Sequence, residues 1–132
     1  MEPARILLVD DEIPFVETLT RRLSKRDLKI ITAFSGQEAL AQLEKDSNIE
    51  VVVLDIKMPG IDGLQTLEEI KRAYPLVEVI ILTGHSTVDD AIKGMRLGAF
   101  DYLGKPCDID RFISRLEEAA ERKRQREKRS SE

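Results

Sequence analysis

The chain has a single cysteine, Cys107, so an intrachain disulfide is excluded, and a secreted disulfide scaffold with it. With no second cysteine, Cys107 reads as a buried or half-buried loop residue rather than a redox centre. Long hydrophobic runs are lacking too. The first apolar run, Ile6–Val9, stops at two aspartates. It is too short for a signal peptide or a membrane span, which points to a cytoplasmic protein without membrane contact. Positive charge is outnumbered by negative over most of the length. The formal net charge is −4, and residues 121–132 hold six Lys/Arg against three Glu, so the first 120 residues carry −7. An acidic body argues against direct nucleic-acid binding. The basic end has no aromatic company and reads as a solvated helix end, where cations suit the terminal carbonyls.

What is present fits one compact domain. Hydrophobic residues make up 42% of 132, enough for a core at this length. Apolar runs recur at Ile6–Val9, Leu28–Ala33, Ile49–Leu54 and Val77–Leu82, with a shorter one at Ala99–Leu103. Several are continuous, as strands buried on both faces are, and this predicts a parallel sheet. Helical spacing fills the intervals: Phe15, Val16, Leu19 and Leu23; Leu40 and Leu43; Leu64, Leu67 and Ile70; Val88, Ile92, Met95 and Arg96; Phe112, Ile113, Leu116, Ala119 and Ala120. Ser35 with Glu38, and Ser86 with Asp89, have capping-box spacing, and Asp108 can cap the last helix. Pro14 falls inside the first turn of the first helix, where proline is tolerated. The fold class is therefore α/β: (βα)5, a three-layer open parallel sheet of five strands. The domain spans 1–120. Residues 121–132 form a charged helix extension or linker, because apolar periodicity stops at Ala120 and nothing evident holds the end down.

In such a sheet ligands bind beyond the carboxyl ends of the strands. Asp10 and Asp11 follow the first strand, Asp55 the third, Thr83 the fourth and Lys105 the fifth. Taken singly, an aspartate after a strand is as readily a turn or helix cap, and Asp10 or Asp11 can cap the first helix. Five positions at four strand ends, all on one edge, point to a site. Three converging carboxylates repel one another unless a hard divalent cation joins them, and an all-oxygen set suits Mg²⁺. Thr83 offers a hydroxyl and Lys105 an ammonium to phosphoryl oxygens. Asp55 is then placed to be a nucleophile forming an acyl phosphate.

The segments Ile6-Leu-Leu-Val-Asp10-Asp11, Val53-Leu-Asp55-Ile-Lys-Met58-Pro59-Gly-Ile-Asp-Gly63, Ile80-Ile-Leu-Thr83-Gly and Gly98-Ala-Phe-Asp-Tyr102-Leu-Gly-Lys105-Pro106 together resemble the response-regulator receiver domain of two-component signalling. The likeness covers roughly residues 5 to 120. It implies a flavodoxin-like strand order of 2-1-3-4-5. It implies Asp55 as phosphoacceptor, and Mg²⁺ held by Asp10, Asp11, Asp55 and the Lys57 backbone carbonyl. Thr83 and Lys105 would meet the phosphoryl group, with Tyr102 turning inward as Thr83 moves and a cis bond before Pro106. Lys57 and His85, flanking the path of an attacking water, would tune dephosphorylation. The partners implied are a sensor histidine kinase and a second copy, bound through the fourth helix, fifth strand and fifth helix. Gly104 departs from the family pattern, which has a larger apolar residue there.

Such a domain catalyses only its own phosphorylation and dephosphorylation, so it is not an enzyme in the ordinary sense. The alternatives are a degenerate receiver serving as an interaction module, and a Mg²⁺-dependent phosphohydrolase. The second would need an acid two residues beyond Asp55, where Lys57 stands. An electron carrier would need a hydroxyl- and glycine-rich loop after the first strand. The sole histidine lacks the helical setting of a phosphoryl donor. The segments around Thr83 and Tyr102 most resemble receivers attached to ATP-driven transcriptional activators, so a C-terminal output domain that regulates transcription is expected.

Overall fold

The computed structural model describes residues 2–58, 60, 62–84 and 87–131. Ten elements alternate: β1 (Ala4–Val9), α1 (Ile13–Ser24), β2 (Leu28–Ala33), α2 (Gly36–Lys45), β3 (Val51–Leu54), α3 (Gly63–Ala73), β4 (Glu78–Thr83), α4 (Val88–Arg96), β5 (Asp101–Gly104) and α5 (Ile109–Ser130). The strands form one sheet in the order β2-β1-β3-β4-β5, all pairs parallel. Period-two alternation sorts the strand side chains onto two faces. Ile6, Leu8, Val51, Val53, Ile80 and Leu82 meet α1 and α5 through Val16, Leu23, Phe112 and Leu116. Leu7, Val9, Val52, Leu54, Val79 and Ile81 meet α2 and α3 through Ala39, Leu43, Leu67 and Ile70. The expected three layers follow.

Helix starts differ in detail from the sequence expectations. Ser35 caps α2, its Oγ accepting the Glu38 N–H at 3.1 Å, and the Glu38 side chain takes the Phe34 N–H at 2.7 Å. Asp108 caps α5. The cap of α4 is Thr87, one residue beyond the expected Ser86, which lies outside the described residues; Thr87 Oγ1 accepts the Asp90 N–H. Neither Asp10 nor Asp11 caps α1. The capping position is Glu12, whose side chain makes no bond to the helix start, and Asp10 Oδ1 instead accepts the Glu12 N–H at 3.0 Å. A full capping box at α3, Asp62 with Gln65, escaped the sequence reading.

The stripe Val88, Ile92, Met95 and Arg96 forms the expected fourth helix but lies exposed: Val88 is 76% accessible, and the buried residue of α4 is Gly94. Periodicity identifies an amphipathic helix but not whether its apolar face is covered. One expectation is corrected: the charged end is held down. Arg124 makes a bidentate pair with buried Glu50, at 2.6 and 2.7 Å, and reaches the Glu2 carbonyl. Arg122 and Arg126 both approach Glu78 Oε2, at 3.1 and 3.3 Å. Glu50 and Glu78 sit at the entry ends of β3 and β4, so polar anchors continue α5 where apolar ones stop.

Candidate functional site at the strand ends

Continuous apolar strands deliver the polar residues to one edge. Asp10, just past β1, and Asp55, just past β3, are nearly inaccessible, whereas Asp11 is exposed. Backbone bonds from Asp10 N to Ala33 O and from Asp55 N to Val9 O, 3.2 and 3.1 Å, extend the ladder under both. One carboxylate oxygen from each of Asp10, Asp11 and Asp55 lies within 4.8 Å of the others. These are hard donors in a partly open set, fitted to a small divalent cation.

Asp55 is gripped on both oxygens. Thr83, the fully buried last residue of β4, donates its hydroxyl to Oδ1 at 2.7 Å. The Lys57 N–H donates to the same oxygen at 3.2 Å, and the Lys57 side chain is exposed. Lys105 Nζ donates to Asp55 Oδ2 at 3.3 Å, to Asp10 Oδ2 at 2.6 Å and to Glu12 Oε1 at 3.2 Å. The Lys105–Pro106 peptide is cis. Tyr102 on β5 is half-buried against the cluster containing Ile81. Gly104 is exposed, and a Cβ added there would meet nothing within 4 Å. Cys107 is half-buried, and burial pushes its thiol above the ordinary value. His85 lies outside the described residues.

The electrostatics follow from burial and pairing. Burial pushes the Asp10 carboxyl above its ordinary range, and the nearby Asp55 charge adds to this. Bonds from Lys105 and the Glu12 N–H oppose the rise without cancelling it. Burial works against the Lys105 charge, but bonding to Asp10 and the charges of Asp55 and Asp10 outweigh it, so the ammonium is held above the ordinary lysine value. A raised Asp10 pKa means that ionised Asp10 weakens the fold at neutral pH, and that stability is regained as pH falls through the raised value. Asp10→Asn in chelator is therefore expected to melt above wild type by calorimetry. A lower melting temperature would contradict this.

Glu12 and Phe15 are site neighbours that the sequence reading passed over. Glu12 had a signal, a third acid directly after the pair. Phe15 had none, because it counts equally well as part of the apolar stripe of α1.

A family model described as the response regulator receiver domain matches residues 6–117. The chain belongs to this receiver family. The DNA-binding transcriptional regulator NtrC of Salmonella typhimurium is 40% identical over 119 residues, 90% of this chain and 25% of the relative. The transcriptional regulatory protein GlrR of Escherichia coli is 36% identical over 120 residues, 91% of this chain and 27% of the relative. The chain thus spans about a quarter of the length of these relatives. Among solved structures, a receiver domain from Clostridium thermocellum superposes with TM-score 0.87 at 38% identity, covering 92% of this chain and 97% of that one. NtrX from Brucella abortus gives 0.87 at 34% identity, covering 98% and 29%. The receiver is thus a two-component signalling module related to transcriptional regulators rather than an ordinary enzyme. No helix among the described residues is long and apolar enough to cross a membrane.

Proposed function

We propose that this receiver is a phosphorylation switch that takes a phosphoryl group onto Asp55 with Mg²⁺ bound, from a phosphohistidine of a sensor histidine kinase or from a small acyl phosphate. The observation that carries the reading is Asp55 itself, a buried carboxylate gripped by Thr83 and Lys105 and within 4.8 Å of two further acids. Asp10, Asp11, Asp55 and the Lys57 carbonyl would hold the ion. Mg²⁺ would neutralise charge on the acids and on the transferring group.

An Asp55 oxygen attacks phosphorus, forming the O–P bond as the donor's N–P or O–P bond breaks and its electron pair leaves with the donor. Lys105 turns from the carboxylates toward the new phosphoryl oxygens, charge against charge. Thr83 releases Asp55 Oδ1 and donates to a phosphoryl oxygen instead. Tyr102 follows into the space vacated. The modification adds about −1.5 to −2 charges at one point and biases a two-state equilibrium already present. The readout is the face of α4, β5 and α5, where Val88, Ile92 and Met95 lie exposed. A second copy or an effector binds there, and an attached output region regulates transcription. The domain itself contacts no nucleic acid. Lys57 and His85 tune attack by water on the acyl phosphate. The domain occupies 1–120, with 121–132 its helical extension, and works in the cytoplasm.

Incubation with acetyl phosphate tests this. Intact mass should rise by one phosphoryl group for wild type with Mg²⁺, and not for wild type in chelator or for Asp55→Asn. Equal labelling of Asp55→Asn would sink the assignment. No labelling by acetyl phosphate or by any sensor kinase would favour a degenerate receiver used as an interaction module.

A further inference from the structure

We propose that Phe15 is a positioning residue for Lys105, its ring seating the ammonium and keeping it aimed at Asp55 when Asp10 is engaged elsewhere. This rests on the reading of Lys105 as the cation that meets the phosphoryl group. Lys105 Nζ lies 4.0 Å from the centroid of the Phe15 ring. The Lys105 side chain is 13% exposed, and its ammonium bonds three carboxylates, Asp10, Glu12 and Asp55.

These partners are unequal in service. Asp10, the shortest contact, belongs to the acid cluster, so a cation bound there competes with Lys105 for it. Asp55 is the group to be modified. Glu12 is 65% exposed, and water and salt screen its hold. The ring differs from all three. It offers a metal no ligand atom and does not titrate, so its attraction persists whatever occupies the acids. A cation within about 6 Å of a ring face is attracted by the ring's quadrupole, most strongly where water is excluded.

The ring is itself fixed. It packs against the core cluster that includes Leu19 and Phe112, and with Leu19, Leu82 and Pro106 it lines a small cavity beside Lys105. Leucine at position 15 would keep that apolar packing while removing the quadrupole. Tyrosine would keep both.

The test uses the full chain with Phe15→Leu, Phe15→Tyr and Lys105→Met. In wild type and Phe15→Tyr, the Lys105 ε-methylene NMR signals should be displaced by the ring current, and in Phe15→Leu they should return toward ordinary lysine positions. Labelling by acetyl phosphate with Mg²⁺ should slow about three- to tenfold in Phe15→Leu and stay within about twofold of wild type in Phe15→Tyr. Mg²⁺ affinity should be the same in wild type, Phe15→Leu and Phe15→Tyr. Wild-type Lys105 signals in Phe15→Leu overturn the proposal at any labelling rate, and so does a moved signal with an unchanged rate. The underlying reading fails separately: Lys105→Met labelling as fast as wild type removes the role of Lys105 itself. Slow Lys105→Met beside wild-type Phe15→Leu removes only the seat.

Discussion

Gly63→Ala is expected to cost the fold about 1–3 kcal/mol and to cut Asp55 labelling at least about tenfold. A Cβ at Gly63 would stand 2.2 Å from the Asp55 carbonyl oxygen and 2.5 Å from Ile56 Cα. Both are backbone atoms, so no rotamer change relieves the clash. Either the first turn of α3 withdraws or the loop carrying Asp55 is displaced. The Gly63 N–H also donates to Ile56 O at 2.9 Å, a bond that withdrawal breaks. Movement of the loop shifts the Asp55 carboxylate away from Thr83, whose 2.7 Å bond leaves little slack. Urea unfolding and acetyl phosphate labelling measure the two effects. Wild-type values for both would mean that α3 does not brace the loop.

Arg124→Ala is expected to destabilise the protein by about 1–3 kcal/mol, although it alters a residue in what reads as a solvated tail. Its bidentate partner Glu50 has a side chain only 10% exposed. Removing the guanidinium leaves that carboxylate largely out of water with its charge unmatched. The full cost of a deeply buried pair is not expected, because Arg124 is itself 28% exposed and water enters the gap. Lysine should recover only part of the loss, since one ammonium cannot match both oxygens of Glu50 in a fork. Amide exchange over residues 121–130 should quicken in Arg124→Ala while the sheet stays protected. If truncation after Glu121 left stability and sheet protection unchanged, the tail would be shown to carry no anchor.

These cases mark what the sequence made legible. Asp10, Asp55, Thr83 and Lys105 could be found because each breaks or ends an apolar run, and a parallel sheet sends every such ending to one edge. The three layers follow from the same runs, whereas the strand order is implied by the family resemblance and not by the runs. The Glu50–Arg124 pair could not be found that way. Its partners are 74 residues apart, and apolar periodicity takes no account of ion pairs. The α4 stripe located its helix but not its exposure: Val88, Ile92 and Met95 have helical spacing, and they stay uncovered because Gly94 is the side of the helix that faces Ile81. Phe15 was legible as core and illegible as a neighbour of Lys105, because the contact spans the chain from α1 to the loop after β5.

The most direct test of the central claim is to locate the phosphoryl group. Wild-type protein, labelled with acetyl phosphate and Mg²⁺, is reduced with borohydride, which converts an aspartyl phosphate to homoserine, and is then mapped by peptide mass spectrometry. Homoserine is expected at position 55 alone, absent when chelator replaces Mg²⁺. Homoserine at Asp10 or Asp11, or at Asp55 irrespective of metal, would contradict the central claim.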